Sequence, residues 1–168
     1  RISKSLAAWA RTLNKKVASV KKHATKSQQG APDPALLQVD ANDQFVTMQV
    51  EASNLYKADD PLGTEVEPIP LATSKGALVE PENGNEAGAD SDNLLDFTGD
   101  IGEVNGYPTI KTIEGVFESS QNNHFSQDVD VTVYWNQDDQ EKPQGEYSGV
   151  IKLTVMVQPP PSGGNGGA

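Results

Sequence analysis

The sequence predicts a mainly β protein, an antiparallel sandwich preceded by a basic amphipathic helix. Three observations predict it. Several stretches after Ala35 alternate apolar and polar residues with period two. Clusters of Gly, Pro, Asn and Asp separate those stretches. The opening "RISKSLAAWARTLNKKVASVKKHATKS" instead repeats apolar residues every three or four positions.

In that opening segment Ile2, Leu6, Trp9, Leu13, Val17 and Val20 fall on one helical stripe, and the basic residues lie mainly on the other faces. Ala7, Ala8, Ala10 and Ala18 favour a helix by propensity. The spacing predicts a helix over about residues 3–26. "SQQGAPDP" then stops it with Gly30, Pro32 and Pro34. Three units follow from this: a helical arm and hinge over residues 1–30, a sandwich domain over 31–158, and a Pro/Gly-rich flexible tail over 159–168.

Within the domain, Val46, Met48, Val50 and Ala52 alternate with polar residues in "FVTMQVEA". Val129, Val131, Val133 and Trp135 share one face of "DVDVTVYW", and Ile151, Leu153, Val155 and Val157 do so in "GVIKLTVMV". A strand buried on one face reads this way, because successive side chains point to opposite sides of the sheet. Shorter candidate strands are "LLQVD", "VEPIPLA", "GALVE", "LLDFT" and "TIKTIEGVF". Seven or eight short strands with such turns, and no helical pattern among them, point to an immunoglobulin-like or jelly-roll sandwich.

Charge divides the chain. Arg1, Lys4, Arg11, Lys15, Lys16, Lys21, Lys22 and Lys26 give the arm +8, with no acid among them. The remainder holds all 24 acids against five lysines, which is −19 and leaves the whole chain at −11. Such a body repels nucleic acid and anionic membranes, so either contact would run through residues 1–30. No apolar run approaches the roughly 20 residues of a membrane-spanning helix. The first residues do not form an intact signal peptide, and the missing initiating Met suggests a processed product or a trimmed chain.

Several chemistries find no support. The chain has no cysteine, which excludes thiolate metal sites, cysteine nucleophiles and disulfides. His23 and His124 stand at no metal-ligand spacing, and no nucleophile elbow, phosphate loop or dinucleotide fingerprint occurs. Asp90 and Asp92 in "DSDN" resemble part of a calcium loop, but Leu94 stands where a third ligand belongs. Surface acidity accounts for them better. Trp135 reads as core and Tyr134 as rim, because acids rather than bases surround them. The expectation is a protein that is not an enzyme, with no cofactor and no small-molecule substrate.

The ending "PQGEYSGVIKLTVMVQ" resembles the last strand of fimbrial, or pilus-type, surface β-sandwich subunits. The residues that carry the likeness are Gly145, Tyr147 and Gly149, then Ile151, Leu153, Val155 and Val157. "LLDFTGDIGEVNGY" is similar to the segment of such proteins where a Leu-x-Phe strand enters a Gly-rich turn. In chaperone–usher fimbriae of this kind, an incomplete sandwich is completed by an extended segment from the next subunit. The resemblance implies an extracellular or cell-surface location, and it makes Val46, Met48, Val50 and Ala52 a candidate donor-type strand. That family starts with its donor strand, whereas this chain starts with the basic segment.

The function expected is a non-enzymatic structural subunit of a self-assembling extracellular filament or pilus. Ile2, Leu6, Trp9, Leu13, Val17 and Val20 would anchor the arm on a neighbouring copy. Arg11, Lys15, Lys16, Lys21, Lys22 and Lys26 would meet that neighbour's acids. One alternative is a virion shell protein whose arm faces nucleic acid or membrane. Another is a carbohydrate-binding or adhesive module that uses loops 80–93 and 118–128.

Overall fold

The structure is a computed structural model and describes residues 10–16, 20–22, 28–30, 35–88, 91–137, 142–143 and 145–157, with backbone alone before residue 35 and at residue 137. The arm contributes β1 (Ala10–Lys16), β2 (Val20–Lys22) and β3 (Gln28–Gly30). The body continues with β4 (Ala35–Ala41), β5 (Phe45–Ser53), β6 (Tyr56–Lys57), β7 (Ala77–Pro81) and β8 (Gly84–Glu86). Next come β9 (Leu94–Leu95), β10 (Phe97–Val104), β11 (Tyr107–Thr112) and β12 (Gly115–Ser119). β13 (Phe125–Val133), β14 (Trp135–Gln137), β15 (Gly145–Ser148) and β16 (Val150–Val157) complete the described chain.

The protein is mainly β, and every named strand pairing is antiparallel. Among the described residues the larger sheet runs β1-β16-β5-β11-β10, with β12 and β8 continuing from β5. A four-stranded sheet runs β4-β13-β7-β9. Val46, Met48, Val50 and Leu153 of the larger sheet join Leu37, Val39, Val79 and Val129 of the smaller one in a single buried core. Period-two alternation causes this arrangement. In β4 the odd positions Leu37 and Val39 are buried while Leu36, Gln38 and Asp40 are exposed.

Two local features fix the register of the large sheet. β10 and β11 meet through Asn105 (φ 53°) and Gly106 (φ 84°), the left-handed pair that a two-residue hairpin turn needs. On its other side β5 changes partner, from β11 at Glu51–Ser53 to β12 at Phe45–Met48. At the changeover the Val50 N–H donates to Thr112 Oγ1 at 2.9 Å. A side chain thus supplies the acceptor that the ladder lacks there.

The arm departs from the sequence expectation. Within the helix predicted over residues 3–26, Ala10–Lys16 and Val20–Lys22 are strands, and the rest of that span lies outside the described residues. The physical reason is competition for backbone partners. Without β1 the outer edge of β16 would present unpaired N–H and C=O groups, which a helix over the same residues would leave unsatisfied. "VEPIPLA" is also less regular than expected: it contributes isolated bridges, Leu55 to Ile69 and Leu71 to Trp135. Pro68 and Pro70 lack the donors that a continuous ladder requires. "TIKTIEGVF" is divided between β11 and β12.

Candidate assembly site at the sheet edge

β16 is the strand on which the arm is laid. Its other edge is bonded to β5 over Ile151–Val157, so it sits inside the larger sheet. Ile151, Leu153, Val155 and Val157 face the core and are buried. The residues ahead of it are built to hold that position. Tyr147 is fully buried, and its hydroxyl donates to the Pro143 carbonyl at 2.6 Å. Gly149 is required by close approach, since a Cβ there would lie 2.6 Å from both the Asn54 carbonyl oxygen and Ser53 Oγ. Ser53 Oγ in turn accepts the Val150 N–H at 2.9 Å. The Gly-x-Tyr-x-Gly pattern read in the sequence is therefore the joint that sets β16 beside β5.

Along the outer edge of β16, β1 pairs over its whole length, from Ala10 opposite Met156 to Lys16 opposite Val150. Leu13 stands opposite Leu153 at the middle. β2 then continues along β15, with Val20 opposite Tyr147 and Lys22 opposite Gly145. β3 returns on β14, with Gly30 opposite Trp135. β1 also lies against β4, the edge strand of the smaller sheet. The arm strand thus closes the side of the molecule where the two sheets' edges meet.

The residues singled out in the sequence divide accordingly. Leu13 and Val20 are brought to this edge, whereas Ile2, Leu6, Trp9 and Val17 lie outside the described residues. Arg11, Lys15 and Lys16 lie in β1 and Lys21 and Lys22 in β2; Lys26 is outside the described residues. Val46, Met48, Val50 and Ala52 are fully buried in β5, which pairs on both sides within its own chain. β1, not β5, stands at a margin of this sheet. The signal for this was present in the sequence only as an apolar residue, Leu13, amid polar neighbours.

Loops 80–93 and 118–128 do meet. Asn83 N–H donates to Gln127 Oε1 at 2.6 Å, and the Asn83 carbonyl accepts from Ser120 N–H at 2.7 Å. Beside them is a cleft of about 620 Å³, lined by Gln44, Asn85, Glu86, Asn93 and Glu118 among others. Its polar groups are largely committed to one another. Asn93 Oδ1 accepts the Glu86 N–H at 2.7 Å, Glu86 Oε1 accepts the Asn93 N–H at 3.2 Å, and Ser91 Oγ donates to the Glu86 carbonyl at 2.6 Å. Burial, and then the charge of Asp92, raise the Glu86 carboxyl above its ordinary range. Asp92 is itself held low by its hydrogen bond from Lys75 Nζ at 2.7 Å. Asp90 lies outside the described residues. No aromatic ring lines the cleft among the described residues, which leaves it without the stacking surface that sugar rings favour.

The fold and this edge define a class of architecture: antiparallel β domains whose own N-terminal arm supplies an edge strand. Compared with family models, with curated proteins and with solved structures, the chain matches none.

Proposed function

We propose that the protein is a non-enzymatic structural subunit that assembles with copies of itself into an extracellular or cell-surface filament, and that its body is an immunoglobulin-like or jelly-roll sandwich. The arm strand of one copy occupies the β16 edge of the next. One observation carries this reading: the seven-residue antiparallel ladder between β1 and β16. Backbone hydrogen bonds supply its affinity, and they are the same whether the strand comes from the same chain or another. The segment between β1 and β4, with Gly30, Pro32 and Pro34, is the connection that would let the strand leave its own body.

Absence of cysteine makes the test direct. The variant Leu13→Cys, Leu153→Cys places two thiols at facing positions, where paired strands hold Cα atoms about 4.5–5.5 Å apart, within disulfide reach. Oxidation of assembled protein is expected to give disulfide-linked multimers on non-reducing gels. A product that is entirely monomeric, with the bridge inside one chain, would refute exchange between copies. The variant Leu13→Pro should abolish assembly at every salt concentration, because proline cannot donate to the ladder.

A further inference from the structure

Among the described residues of its own strands, the outward face of the four-stranded sheet carries carboxylates and no Lys or Arg. Leu36, Gln38 and Asp40 project from β4, Asp128 and Asp130 from β13, and Glu80 from β7. The register sets Asp130 between Leu36 on one strand and Glu80 on the other. Leu36, Glu80, Pro81, Glu82, Asp128 and Asp130 line one shallow depression of about 320 Å³. Leu36 is 54% exposed, a large apolar side chain in the midst of acids. Like charges facing each other across paired strands cost stability.

Four of the body's five lysines are engaged elsewhere, and the fifth, Lys111, lies on the other sheet. Lys57 pairs with Asp59 and Lys75 with Asp92. Lys142 Nζ donates to the Glu67 carbonyl, and Lys152 lies 3.8 Å from Glu51. Lys111 stands in register with Glu51 on the larger sheet. The cations that remain in the sequence are the eight of residues 1–26, interspersed with Ile2, Leu6 and Trp9. β1 lies against β4, so the edge that carries the arm strand adjoins this sheet.

From this charge complementarity, and from the continuity of the face with the arm's edge, we infer that the outer face of the four-stranded sheet receives the cationic residues of a second copy's arm. Leu36 and Pro81 form its apolar floor, and Glu80, Glu82, Asp128 and Asp130 form its charged ring. The inference rests on the strand exchange proposed above and names the surface that flanks it.

The test is sedimentation velocity of the full chain across a range of salt concentrations, with the variant Glu80→Gln, Glu82→Gln, Asp128→Asn, Asp130→Asn. All four positions have solvent-accessible side chains, so the fold is expected to survive, as circular dichroism would check. The variant should dissociate at about tenfold higher protein concentration in low salt and should lose most of the salt dependence. A reciprocal pair strengthens the test. Reversing the ring to lysine, or reversing Arg1 and Lys4 to glutamate, should each weaken assembly, and combining both in one chain should restore part of it. Unchanged dissociation and salt dependence in the neutral variant would overturn this inference while leaving strand exchange standing. Persistence of assembly in Leu13→Pro would instead overturn the exchange itself.

Discussion

Leu13 lies directly opposite Leu153 in an antiparallel ladder, which joins the N-terminal arm to the last described strand across 140 residues of sequence. The pairing makes the two ends of the described chain one structural unit. It also makes β16 the strand whose integrity both the core and the arm depend on.

Leu153 is fully buried between β5 and β1. Leu153→Ala is expected to cost about 2–5 kcal/mol, combining lost burial with a residual cavity. Urea denaturation would show a lower midpoint with an unchanged slope. Stability equal to the native chain would mean that β16 is not a core strand.

The joint ahead of β16 is sensitive to a single methyl group. Gly149→Ala would press a Cβ against the Asn54 carbonyl, and overpacking of this kind costs about 1–3 kcal/mol. Thermal unfolding monitored by circular dichroism would register a clear fall in midpoint. A neutral result would show that β5 and β16 separate more easily than their contact suggests.

Thr112 supplies an acceptor to a buried donor, the Val50 N–H. Thr112→Val keeps the shape but strands that donor, a loss of about 1–3 kcal/mol. Thr112→Ser keeps the hydroxyl and should restore most of the difference. If both variants are equally destabilised, the hydroxyl is not what matters at this position.

Asp60 closes the loop that follows β6. Its carboxylate accepts from the N–H groups of Val66 at 2.7 Å, Glu65 at 2.9 Å and Thr64 at 3.2 Å, and these bonds hold its pKa down to about 2. A depressed carboxylate stabilises the fold fully above its unfolded value near 3.8, and the contribution is lost as pH falls through about 2. NMR titration of the Val66 and Glu65 amides should therefore show a shared midpoint near the lower value. A midpoint near the ordinary one would mean that the loop is not closed by Asp60 in solution.

Strand positions were legible where one face is buried. In β4, β5, β13 and β16 the alternation of Val, Leu and Ile with polar residues follows from the two-residue repeat of a pleated strand. The Asn105-Gly106 turn was legible for an equally local reason, because its backbone needs left-handed conformations. The arm was not. Ile2, Leu6, Trp9, Leu13, Val17 and Val20 satisfy helical spacing, yet Ala10–Lys16 takes the open edge of β16 instead. Local periodicity carries no information about a vacant edge formed by residues far along the chain.

The sequence by itself determined the β class, the alternation that sorts core from surface, and the separation of a basic arm from an acidic body. Tertiary structure alone decided which strand β1 joins, where Thr112 replaces a backbone acceptor, and that Asp130 stands between Leu36 and Glu80. The reason is the range of the interactions. Periodicity and turn preference act over a few residues, whereas register and edge pairing are set by whichever distant strands leave hydrogen-bonding groups to be satisfied.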